Sequence, residues 1–377
     1  MKRLIVKIIF LAIGLFLGLW FYFSSPKTDE EKIVNVYCFY GMIPASVLSQ
    51  FEKETGIKVQ FDIYDNNEIL EAKLLASNSG YDVVLPTSPP YVSRQIAVGI
   101  YQPLNKKWLP NLKDLDPVII KEMELVDSGT VYAVPYYWGT VGIAYDDDKL
   151  KKLLPHADLE SNDLLFNPEN LKRLASYGVS FFEEAIDVFP EILHYLGKDP
   201  NSIQDNDLIQ AYEHLLKLRP YILRFTSSRF INDLIMENVC ITQAWSGEAQ
   251  QAIDEAKELG RCIKYVIPSE GAGLWVDSFM IPAGAIHPKN AHIFINFLLK
   301  PEISAQIINE TCIATTVKSA LVYVKKDIRN NKAIYPSEKT MSKLKLYQLP
   351  VNKQTTSYER ERNRLWSKIR YSLTKTH

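Results

Sequence analysis

The chain has 377 residues, 47% of them hydrophobic, with 43 lysines and arginines against 44 aspartates and glutamates. That length can bury a sizeable core and favours two domains. A net charge of −1 leaves no overall field to recruit nucleic acid or an anionic membrane.

The first segment, residues 1–32, opens with Lys2 and Arg3 and runs apolar from Ile8 to Phe23 before turning polar. This is an export signal, and no A-x-A cut site follows it. Two outcomes stay open: a signal peptide, or an inner-membrane anchor over residues 4–23 with a linker. Either places the protein in the periplasm. In that oxidising compartment Cys38, Cys240, Cys262 and Cys312 admit three pairings. A Cys240–Cys262 bond is the expectation, beside the equal alternative of four buried thiols.

Patterning predicts strands at Ile33–Phe39, Ile57–Tyr64 and Tyr81–Leu85, separated by helices at Ala45–Thr55 and Glu68–Ser77. Strands alternating with helices imply a βαβ lobe on a parallel sheet, whose ligand side is at the carboxyl ends of the strands. Phe39, Tyr40, Thr87 and Ser88 fall there. Tyr132–Tyr145 is a long extended run that leaves one lobe for the other, and Trp275–Ile281 repeats that character. Between them a strand at Val239–Trp245, a helix at Gly247–Leu259 and a strand at Ile263–Ile267 belong to the second lobe. Asn290–Glu310 and Tyr358–Ile369 read as helices. The fold class is therefore α/β, with two βαβ lobes joined by a hinge with two main crossings. The expected lobes are 33–138 plus 276–321, and 139–275 plus 322–377. Such a discontinuous pair suits a hinge-bending clamp.

The six histidines are scattered, and no H-E-x-x-H, G-x-S-x-G, C-x-x-C, phosphate-loop or G-x-G-x-x-G run occurs. No metal, cofactor or catalytic constellation is expected. What recurs is a carboxylate beside an aromatic. Strand alternation turns Trp275 and Asp277 to one side. Trp245 ends a strand, and Glu248 sits in the first turn of the next helix. After Phe181-Phe182, Glu184 and Asp187 lie three apart and share a helix face. An ammonium seeks carboxylates and π-faces, and the methylenes between ammoniums seek flat apolar walls. This box suits a polyamine. Taken singly, the acids of the helix starts also complement helix dipoles, and the tryptophans also suit lobe packing.

These stretches resemble the polyamine-binding proteins of ABC transporters, the putrescine-specific type more closely than the spermidine/putrescine type. The resemblance runs from about Val34 to Ile369. It is most specific at Phe51–Val59, Tyr81–Pro86, Val134–Gly139, Tyr195–Ser202, Leu216–Pro220 and Phe294–Leu299. It implies a type II periplasmic-binding-protein fold that captures putrescine or spermidine and delivers it to a membrane permease and ATPase, without catalysis. The alternative is a membrane-tethered sensor not coupled to transport. Carried over, the acidic pair resembles Glu184 and Asp187, the tryptophan–carboxylate pair Trp245 and Glu248, and the aromatic-x-aspartate Trp275 and Asp277. Phe39 matches the first-loop aromatic, and Thr87 or Ser88 the third-strand hydroxyl. The chain departs at Cys38-Phe39-Tyr40-Gly41-Met42, which lacks the family's acid and tyrosine, and at Ile313, where a tyrosine is expected. The first-lobe wall is thereby more apolar.

Overall fold

The computed structural model describes residues 30–76 and 79–372. The expected signal or anchor at residues 4–23 lies outside them. No helix among the described residues is long and apolar enough to cross a membrane.

The chain begins with β1 (Ile33–Phe39), the Ala45–Thr55 helix, β2 (Lys58–Tyr64), the Asn67–Leu75 helix, β3 (Val83–Val84) and β4 (Thr87–Ser88). The first helix stops at Gly56, whose φ of 71° is left-handed, the conformation that glycine adopts without a Cβ penalty. β1 lies between β2 and β3, parallel to both. β5 (Val134–Asp146) is buried along all 13 residues. The middle of the chain adds β6 (Val179–Phe181), β7 (Arg224–Phe225), β8 (Ile241–Trp245) and β9 (Ile263–Val266), followed by β10 (Ala272–Phe279), β11 (Ala314–Thr315) and β12 (Leu344–Leu346).

Both sheets have one plan. In the second, β7, β6 and β8 are parallel, and β5 runs antiparallel between β8 and β9. In the first, β2, β1 and β3 are parallel, and the chain leaving β10 joins β3 through the antiparallel bridge Val84–Met280. In each lobe the reversed strand continues a crossing. The crossings also pair with each other: β10 runs antiparallel to the first half of β5, with Trp275 opposite Gly139 and Asp277 opposite Tyr137. β11 pairs with the same half, placing Ala314 opposite Trp138. Trp138 is buried and donates its indole N–H to the Thr315 carbonyl at 3.0 Å.

Two apolar cores flank this junction. One gathers Val36, Phe51, Val84, Tyr136, Phe279 and Phe294, the other Ile143, Phe181, Phe189, Ile241 and Trp366. Val324, Ile328, Ile334, Leu344 and Leu346 join the first core, whereas Tyr358, Leu365 and Ile369 join the second. We propose that the chain returns to the second lobe after Leu346 instead of at residue 322. The cause is β12, which pairs parallel to β10 and makes a third passage too short for periodicity to reveal.

Two expectations are corrected. Residues 290–310 form two helices, Pro288–Leu298 and Pro301–Thr311, because Pro301 has no N–H to continue the first. All four cysteines are free. Cys240 precedes β8 and Cys262 precedes β9, and β5 lies between those strands. Two strand spacings are roughly 9.6 Å, beyond the roughly 7 Å that a disulfide spans between Cα atoms.

A Cβ on Gly139 would overlap the Trp275 indole and the Ser246 hydroxyl. Gly139→Ala should therefore lower the unfolding free energy by about 1 to 3 kcal/mol, the usual cost of overpacking, as a smaller midpoint in urea denaturation. An unchanged midpoint would show that this junction yields.

Candidate functional site

β10 orders the site. Gly273, Trp275 and Asp277 alternate onto one face of it, and each meets a different element. The Gly273 N–H donates to Glu191 Oε1 at 2.9 Å. The Trp275 ring lies over Gly139 and beside Ser246 at the start of the Ser246–Glu258 helix. Asp277 pairs in register with Thr87 of β4 and accepts a hydrogen bond from it. Thr87, not Ser88, is thus the hydroxyl on the aspartate; Ser88 is opposite Val276, buried, with its hydroxyl unpartnered.

Asp277 is only 4% exposed, yet its Oδ1 has no hydrogen-bond partner, and neither has the Trp275 indole N–H. Burial pushes its carboxyl up to about 7. Glu248 faces the same space. It is exposed to solvent, so it sits on a wall and not in a core. Crowding by the surrounding protein, with the Asp277 charge, raises it to about 7. Beside it Trp245 stacks on Phe182 at 4.2 Å between centroids and 19° between planes, with Phe230 edge-on at 5.9 Å.

A second acidic group lies where the Ala185–Tyr195 helix begins. Glu184 is its N-cap residue and accepts a short hydrogen bond from Ser227; burial raises it. Asp187, half-buried in the first turn, is pushed up to about 7 by burial and by the Glu184 charge. Glu68, in the first turn of the Asn67–Leu75 helix, contributes to both shifts and accepts a short hydrogen bond from Tyr91. Glu68 and Tyr91 come from the part of the chain built around the first core, Glu184 and Asp187 from the second. The acids therefore meet across the lobes.

A family model of bacterial extracellular solute-binding proteins matches residues 46–335. The chain belongs to that family. Among relatives, the putrescine-binding periplasmic protein SpuD of Pseudomonas aeruginosa is 42% identical over 348 residues, 91% of this chain and 93% of that protein. PotF of Escherichia coli, also named a putrescine-binding periplasmic protein, is 41% identical over 345 residues, 90% and 92%. Among solved structures, the spermidine/putrescine ABC transporter substrate-binding protein PotD of Streptococcus pneumoniae superposes with a TM-score of 0.78 at 27% identity, covering 90% of this chain and 100% of that one. The α/β clamp of the periplasmic-binding-protein type is thus the fold of this solute-binding protein.

Of the expected residues, the solute-binding protein brings Thr87, Trp275, Asp277, Trp245 and Glu248 to one end of β10, and gathers Glu184 and Asp187 in a second group. Phe39 is half-buried against Tyr64 at 4.4 Å. Tyr40 is 84% exposed, with no ring partner or hydrogen bond among the described residues. Gly41, at φ 74°, turns the chain there, and Met42 goes inward, its carbonyl accepting from Tyr137. Ile313 packs over Gly247, beside Glu248.

Sequence reasoning missed Glu68, Tyr91, Phe182, Ser227 and Glu191. Glu68 follows the carboxyl end of β2, so the strand-end rule reaches it. Phe182 directly follows β6, just before the acidic pair. Glu191 is 3% exposed amid apolar neighbours and is raised to about 8 by burial; no local signal marks it.

These carboxyls titrate higher folded than unfolded, so the native chain holds the extra protons. Their stabilisation is complete below the ordinary values of 3.8 and 4.5 and is lost as pH rises through about 7 and 8. The melting temperature of the ligand-free protein should fall across that window. Asp277→Asn should flatten the slope and melt higher than wild type at pH 8; equal slopes in differential scanning calorimetry would refute the assignment.

Proposed function

We propose that this solute-binding protein captures putrescine or spermidine between its lobes outside the cytoplasm and hands it to an ABC permease and ATPase, as a passive receptor and not an enzyme. Asp277 carries the proposal. It is a buried carboxylate with a free oxygen, set beside an indole and facing Glu248, and no lysine or arginine pairs with either acid among the described residues. A group so placed lacks a cation, and an isolated charge is costly to keep out of water. An alkylammonium supplies it, while Trp275, and Trp245 on Phe182, offer flat walls to the methylenes.

The second acidic group stands at the Gly273 end of the same strand face, through Glu191 and its neighbour Asp187. Two poles with aromatics between them suit a chain bearing a cation at each end. The printed names of SpuD, PotF and PotD agree with that ligand class. Export by residues 1–32, with retention of 4–23 as a tether or removal as a signal, completes the proposal.

Each methylene contributes about 0.8 kcal/mol and each charge-assisted hydrogen bond roughly 1.5 to 3 kcal/mol. Net of association costs, binding of about −8 kcal/mol, micromolar, is expected. Calorimetric titration of the purified protein, stripped of amine by unfolding and refolding, with putrescine, cadaverine, spermidine and spermine should detect it. Asp277→Asn and Trp275→Ala should each cost about 1 to 3 kcal/mol of that binding. Silence toward all four amines, or unaltered affinity in both variants, would reject the proposal.

A further inference from the structure

The second acidic group contains a cation of its own. Arg362 belongs to the Lys353–Tyr371 helix, which packs along the Ala185–Tyr195 helix. Trp366 donates its indole N–H to the Glu183 carbonyl at 2.7 Å and meets Phe189 edge-on at 6.0 Å between centroids. Arg370 pairs with the Glu183 carboxylate at 2.6 Å. Arg362 precedes Trp366 by one helical turn and therefore shares this inner face.

Arg362 is 4% exposed. A guanidinium this deep ordinarily forks onto a carboxylate through several of its five donors. Here the one ion pair is a 3.9 Å approach to Glu359, and Nε has no partner among the described residues. Its field nevertheless reaches Asp187 and opposes the effect of burial there. The other groups acting on Asp187 are acidic: Glu184 from the same helix and Glu68 from the first lobe, the latter held by Tyr91. Asp187 in turn acts on Glu191. One buried cation thus acts on Asp187, the carboxyl that Glu184 and Glu68 also act on and that acts in turn on Glu191.

Accepting the polyamine reading above, we propose that Arg362 is a specificity-determining residue: a resident cation that takes the place of a third ammonium beside Asp187, so that the cleft favours a diamine over a triamine. A diamine carries no charge in excess of the two poles. A triamine must set an additional ammonium near a guanidinium in a poorly solvated space, where like charges repel far more strongly than in water.

The test is the ratio of putrescine to spermidine dissociation constants, measured by calorimetry on the full chain. In Arg362→Met, which keeps the apolar stem and removes the charge, the ratio should shift toward spermidine by about tenfold or more, which is 1.4 kcal/mol. The gain should grow from pH 6 to pH 8 as Asp187 loses its proton. Arg362→Lys should restore the wild-type ratio. A packing role alone would weaken both amines in parallel and leave the pH profile as it was. Arg362→Gln, followed with thermal unfolding, gives the same reading if the methionine variant does not fold. A ratio unchanged in the charge-deleted variants would overturn the inference. Silence of the wild-type chain toward both amines is a separate result, and it removes the polyamine reading together with this one.

Discussion

The molecule depends on the antiparallel pairing of its two long crossing strands. β5 and β10 are hydrogen-bonded to each other where they leave one lobe for the next, and Trp275 stands opposite Gly139 at that point. Each strand then continues into a sheet as its single reversed member. The hinge is therefore made of the same hydrogen bonds that build the two domains, and a glycine at its centre lets a tryptophan ring come close against the backbone. The face of β10 that carries Trp275 carries Asp277 two residues on. The element that joins the lobes also carries the residues proposed to hold the amine.

Electrostatics follow from that placement. Strand ends and helix starts converge on the junction from both cores, and each delivers a carboxyl group: Glu68, Glu184, Glu248 and Asp277. Gathering anions in a poorly solvated space opposes their ionisation, which is why several titrate near neutrality. These acids are thus poised between their protonated and ionised forms near neutral pH.

Much of this was legible in the sequence because it rests on local rules. The alternation of strands and helices marked a βαβ lobe on a parallel sheet, strand periodicity put Trp275 and Asp277 on one side, and the two extended runs marked the crossings. What was not legible depended on which segments become neighbours. The Cys240–Cys262 expectation treated two strands that follow each other closely as adjacent, when β5 lies between them. Tyr40 shares a strand-end loop with Phe39, but only Phe39 finds a ring partner, Tyr64, while Tyr40 is left exposed. Glu191 reads as one polar residue in an apolar helix until Gly273 is set against it, and Arg362 reads as one charge in a highly charged helix until its burial is seen.

The crossings also order assembly in time. The second core draws most of its residues from one continuous stretch, while the first needs strands and helices from both sides of that stretch. On a chain that emerges with its N-terminus leading, β1 to β3 must wait through the whole of the other lobe for β10 and the helices after it. Their apolar faces are uncovered meanwhile, and contacts so distant in sequence form slowly. The first lobe, which holds the N-terminal βαβ units, is thus the one whose completion is most delayed and the one most dependent on the chain staying unaggregated until it ends.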